Sequence, residues 1–167
     1  MTQLFQALRL FPITALLLVG LSACSEKDDP AANEPATGSY NFRGNILTCK
    51  STASKEIVGG YEYLKVYLEV IETPARGNPD GVVLKFRRPA DKPKADYEPA
   101  PVDNLVLYTT SGNGSVHFNN SSLTYKLTKT TISGTFSGEA STTGYNGNPI
   151  VYSTVTAGTF NYVKLPY

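Results

Sequence analysis

Tryptophan is absent from the 167-residue chain, histidine and methionine occur once each, and there are two cysteines. A single imidazole leaves no material for a His-clustered metal site and little for His-dependent catalysis. Charge of one sign is lacking too. Arg9 is the only charged residue ahead of Cys24, and the remainder carries 14 basic and 14 acidic side chains. A neutral chain has no basic field to grip a phosphate backbone, so nucleic acid is not an expected partner. Long hydrophobic runs are also missing: the apolar stretch Leu10 to Leu21 falls short of the ~20 residues that cross a bilayer. What is abundant is Tyr (11), Gly (14) and Pro (11), a balance that suits a turn-rich β domain.

Residues 1–23 read as a targeting segment, with Arg9 as a weak positive end and Leu10 to Leu21 as its apolar core. Leu21-Ser22-Ala23-Cys24 resembles the lipobox of bacterial lipoproteins, in which cleavage falls before a cysteine whose sulfur is already acylated. That resemblance implies a lipid anchor on Cys24, and several acyl chains at ~0.8 kcal/mol per buried CH₂ hold a protein to a membrane almost permanently. The competing expectation is an ordinary secretory signal cut near Ala23. Ser25-Glu26-Lys27-Asp28-Asp29 resembles the surface-export signal of Bacteroidetes lipoproteins, and Ser25 the outer-membrane sorting pattern; the same residues also serve as a solvated tether. Linker chemistry continues through Pro30, Pro35 and Gly38, which gives a tether over 24–39 and one domain over 40–167.

Alternation within that domain is clearest in Tyr61 to Ile71, where Leu64, Val66, Leu68 and Val70 share one face and Tyr61, Tyr63, Lys65, Tyr67 and Glu69 the other. Further strands are expected over Tyr40–Thr48, Gly81–Arg88, Asn104–Thr109, Gly114–Phe118, Ser122–Thr128, Thr131–Ala140 and Ile150–Val163. Pro89 to Pro101 reads as a surface loop with one short extended piece around Tyr97. About eight antiparallel strands joined by short turns give an all-β fold, a β-sandwich or a small β-barrel.

Gly134-Thr135-Phe136 recurs as Gly158-Thr159-Phe160. A glycine inside a strand lets a neighbouring ring approach closely, and the phenylalanine two residues on falls on the same face. The segments ISGTFSG and VTAGTF, preceded by NGSVHF and LTYKLTKTTI and followed by a terminal Pro-Tyr, resemble the DUF6252-like family of Bacteroidetes lipoproteins over Tyr97 to Tyr167. The resemblance implies an all-β lipoprotein and carries over no activity and no site residue.

Candidate chemistry is sparse. His117 is opposite in parity to Val116 and Phe118 and is expected to point outward. No G-x-S-x-G elbow or D-x-D-x-D-G loop is present, so neither a nucleophile nor a calcium site is expected. With Cys24 lipidated, Cys49 is the only free thiol; it is expected as a small buried residue, with Lys50 and Lys55 as the features that favour a reactive one. Tyr61, Tyr63 and Tyr67 form the best candidate site, because rings two and four residues apart on a strand present a stacking surface. The alternative is that this face packs inside the molecule. The expectation is a non-enzymatic outer-membrane lipoprotein, exposed at the cell surface, without cofactor or metal. It is held to the membrane by its lipid and binds a glycan or peptide through the tyrosines, or else serves as a structural module in an envelope protein complex.

Overall fold

The computed structural model describes residues 35–72, 78–109, 114–143 and 148–166. The expected signal segment, Cys24 and Ser25 to Asp29 lie outside the described residues. Among those described there are ten strands and no helix. They are β1 (Thr37–Phe42), β2 (Asn45–Val58), β3 (Tyr61–Val70), β4 (Gly81–Pro89), β5 (Glu98–Pro99), β6 (Leu105–Tyr108), β7 (Ser115–His117), β8 (Asn120–Leu127), β9 (Thr131–Thr143) and β10 (Pro149–Lys164). The all-β expectation holds, with two corrections at the start. Residues 37–39, expected in the tether, already pair with β2 and β10. The expected strand Tyr40–Thr48 is broken in two. Arg43 and Gly44 take left-handed φ values of 52° and 84°, and the Gly44 N–H donates to Asn41 Oδ1 at 2.9 Å, which closes a two-residue hairpin turn. β2 then continues through polar residues to Val58, because only Leu47, Cys49, Ser51 and Ala53 of its length face the core.

All pairings are antiparallel, in the order β7-β6-β4-β3-β2-β1-β10-β9-β8, with β5 added to β4. The two edges, β7 and β8, are consecutive in sequence and joined only through Phe118 and Asn119. Laid flat, eight inter-strand steps of ~4.8 Å would part those edges by roughly 38 Å. A link of this length reaches only about 10 Å. The sheet must therefore roll on itself, and the core contacts show that it does. Phe86 on β4 meets Tyr125 on β8 edge-on at 4.9 Å and Phe160 on β10 at 6.4 Å. Between the edges the ladder is open, and side chains bridge the gap: Ser121 Oγ donates to Asn104 Oδ1 at 2.6 Å.

The paired Gly-Thr-Phe segments set the tightest part of this core. In the β9–β10 register Gly134 faces Phe160, Thr135 faces Thr159, and Phe136 faces Gly158. Each glycine seats the other segment's ring. A Cβ on Gly134 would come within 2.7 Å of the Phe160 ring, and one on Gly158 within 2.6 Å of the Phe136 ring. The β9–β10 register shifts three times, between Val151 and Ser153 and at bulges marked by Ala157 (φ 50°) and Tyr162 (φ 53°), and the last two make the buried residues of β10 run Ser153, Val155, Gly158, Phe160, Val163. Each bulge bends the strand and raises its local twist, which is what a rolled sheet requires.

Gly134→Ala and Gly158→Ala should each lower the unfolding free energy by about 1–3 kcal/mol through overpacking, and Phe136→Ala by about 3–5 kcal/mol through the cavity it leaves. Glu139→Ala, exposed on the same strand, should stay within about 0.5 kcal/mol of wild type in the same urea titration.

Candidate functional site

β3 places Leu64, Val66 and Leu68 in the core and Tyr61, Tyr63, Lys65 and Tyr67 on the outer face, as its alternation foretells. Register then decides the neighbours of each ring. Glu56 and Arg87 flank Tyr63, Ser54 and Lys85 flank Lys65, and Thr52 and Val83 flank Tyr67. The Arg87 guanidinium stacks over the Tyr61 ring at 4.7 Å and also reaches Glu98 at 3.1 Å, while Lys65 pairs with Glu56 at 2.5 Å. Tyr61 is 37% exposed, and Tyr63 and Tyr67 are half-buried among these side chains. Every described strand belongs to the one sheet, so among the described residues no second sheet covers this face. The apolar row continues from Tyr67 through Val83 to Val106 and ends at His117.

At one end of the inner face Glu62 and Arg88 sit opposite each other on β3 and β4. Arg88 Nη2 donates to both carboxylate oxygens at 3.0 Å, its Nη1 donates to the Pro93 carbonyl at 2.6 Å, and the guanidinium lies 4.5 Å from the centre of the Tyr97 ring. The Tyr97 hydroxyl donates to Glu62 as well. These bonds pull the proline-rich segment across the end of the sheet, so Tyr97, expected in a surface loop, is buried. Burial by itself would raise the Glu62 carboxyl; the hydrogen bonds from Tyr97 and Arg88, with the charges of Arg88 and Lys55, outweigh it and hold the group below its ordinary value. Burial, followed by the bond to Glu62, raises Tyr97.

His117 points outward, as its parity on the strand requires, and its side chain is 51% exposed. The contacts it makes were not foreseen. Its Nδ1 bonds Asp103 Oδ1 at 2.7 Å, and Ser115 Oγ lies 3.0 Å from its Nε2. With the carboxylate accepting from Nδ1–H, Nε2 is left to accept the serine hydroxyl, the hydrogen-bond order of a nucleophile relay. Ser115 and His117 share a strand face and were legible as neighbours; Asp103 joins them because the chain before β6 turns back through a left-handed residue, Asp103 itself at φ 54°. With Asp103 37% exposed and the imidazole half in water, solvent competes for both bonds. The buried carboxylate and desolvated nucleophile on which triad chemistry depends are not formed.

Cys49 is fully buried, as expected, and burial pushes its thiol up to about 12, so the neighbouring Lys50 does not make a thiolate of it. No group of His, Cys, Asp and Glu among the described residues is arranged to hold a metal. No protein-family model, curated protein or solved structure matches the chain.

Because the Glu62 carboxyl is depressed in the fold, its stabilising effect is full above the ordinary carboxyl value of about 4.3 and fades as pH falls through the lower folded value. Urea midpoints measured from pH 6 downward should therefore drop more steeply below about pH 4 for wild type than for Glu62→Gln. At pH 7 the same variant should be less stable by about 1–3 kcal/mol.

Proposed function

We propose that this protein is a lipoprotein, anchored through Cys24 to the outer membrane and displayed at the cell surface, whose β domain binds a glycan on the face carrying Tyr61, Tyr63 and Tyr67. The observation that carries the binding proposal is the outer face of β3, which no second sheet covers among the described residues and where Lys65 stands among the three rings with Lys85 and Arg87 beside them. Rings remove the apolar face of a sugar from water at small entropic cost, and the interleaved ammonium and guanidinium groups supply donors for its hydroxyls. The lipid anchor rests on Leu21-Ser22-Ala23-Cys24, and display on Ser25, Glu26, Lys27, Asp28 and Asp29. Kinship with the Bacteroidetes lipoproteins rests on the Gly-Thr-Phe segments. A second proposal, contact with an envelope protein and no small-molecule site, draws on the tip of the β2–β3 hairpin, where Ile57 is 70% and Val58 56% exposed.

Joint replacement of Tyr61, Tyr63 and Tyr67 by Ala should abolish retention on a glycan array while the far-UV circular dichroism stays that of a β protein. Single replacements should each weaken binding roughly tenfold, about 1.4 kcal/mol. Glycan binding that survives the joint change defeats the site. Loss of an envelope-protein partner on Ile57→Ser, with glycan binding absent throughout, would favour the second proposal.

Mass spectrometry of the mature N-terminus should find Cys24 acylated and leading the chain. Cys24→Ser should remove both the acyl mass and that cleavage, because sulfur is the acceptor.

A further inference from the structure

The far end of β2 from Tyr61 borders a pocket of about 220 Å³, formed where the β1–β2 turn meets the β6–β7 pair and β10. Its walls are mostly apolar. Phe42 and Leu107 come to it from the buried core, Val116 from β7, and Tyr152, 53% exposed, from β10. Four polar side chains interrupt this lining, of which Thr109 bonds the Gly114 carbonyl and Ser115 bonds His117, leaving Arg43 and Ser153. Arg43 stands in the two-residue turn, its guanidinium 5.1 Å from the Phe42 ring centre and with no carboxylate of the described residues within 4 Å. Ser153, only 7% exposed, forms part of the wall, and its Oγ has no hydrogen-bond partner among the described residues.

A guanidinium without its counter-ion beside an apolar pocket is matched by an anion that also carries an apolar body. An orphaned buried hydroxyl is a standing cost to the fold, of the kind a ligand acceptor relieves once the serine side chain turns about its single torsion. One fork of donors and one hydroxyl fit the oxygens of a carboxylate. The volume lies below the ~300–1,000 Å³ of sites for drug-sized ligands, so the apolar body must be small. We propose that this pocket binds a short-chain monocarboxylate, with its carboxylate on Arg43 and Ser153 and its tail against Phe42, Leu107 and Val116. The site is separate from the tyrosine face and stands or falls without it.

Sodium hexanoate, titrated into the full chain and followed by calorimetry, tests this, with hexanol as the neutral probe of equal tail length. Hexanoate should bind saturably and at least tenfold more tightly than hexanol. Arg43→Asn keeps the turn, because asparagine tolerates the left-handed conformation; it should erase the preference for the acid and leave hexanol binding unchanged. Ser153→Ala should weaken hexanoate severalfold. Val116→Trp, which fills the pocket, should abolish both ligands, while joint replacement of Tyr61, Tyr63 and Tyr67 by Ala should alter neither. Absence of saturation at roughly 10 mM hexanoate, well above the ~1 mM expected of a weak fragment, overturns the proposal. So does equal affinity for hexanoate and hexanol, or undiminished hexanoate binding by Arg43→Asn.

Discussion

Phe136 and Phe160 stand in one core layer on neighbouring strands, and each needs the space above the glycine opposite it. Gly134 faces Phe160 on one side and Tyr125 on the other, and Phe86, arriving from β4 across the core, meets both of those rings. Tyr40 extends the same layer, its ring 6.2 Å from Phe136. A methyl at Gly134 or Gly158 would push a ring off its seat. The displaced ring would then disturb the contact between opposite walls of the sheet. Rolled closure and the two glycines are thus one constraint: the walls approach with each ring seated over the glycine opposite it.

Closure leaves the ends and the seam to be managed by side chains. Among the described residues the seam between β7 and β8 carries no ladder, and the bond from Ser121 to Asn104 ties its two sides. One end is closed by a charged clamp, in which Glu62 takes hydrogen bonds from Arg88 and Tyr97 and Arg88 in turn holds the proline-rich segment. A half-buried pair of this kind tolerates loss of neither partner, because removing one leaves the other desolvated and uncompensated. The opposite end has no comparable clamp among the described residues. There the core opens through Phe42 and Leu107 to the pocket beside Arg43.

On the two binding proposals, stability and recognition fall to different parts of one sheet. The inner face is occupied by packing and gives up little, as the buried and protonated Cys49 illustrates. The outer face of β3 carries exposed and half-buried rings beside paired cations, and at the open end Ser153 Oγ has no partner among the described residues. Binding on the outer face of β3 asks for little rearrangement of the core, since its side chains project from a strand whose opposite face is already packed, whereas the pocket takes Phe42, Leu107 and Ser153 from the inner face itself.

Parity was legible in the residues themselves. The inward and outward sets of β3, the shared face of Tyr61, Tyr63 and Tyr67, the burial of Cys49 and the packing role of the Gly-Thr-Phe pair all follow from a period of two and from the size of a side chain. Other features were not legible, because they depend on which distant strand lies alongside. The β1–β2 turn needs a left-handed arginine that no turn preference announces. The outer half of β2 lacks apolar alternation because it lies beyond the core. The bulges at Ala157 and Tyr162 shift the inward set of β10 by one residue each, so alternation counted from Val155 would put Phe160 on the wrong face. Likewise, Asp103 meets His117, Tyr97 meets Glu62, and Arg43 and Ser153 line one pocket across 110 residues of chain. Side-chain direction is a local property of a strand and can be read from its sequence, whereas proximity is set by register and by the rolling of the sheet, which exist only once all ten strands have come together.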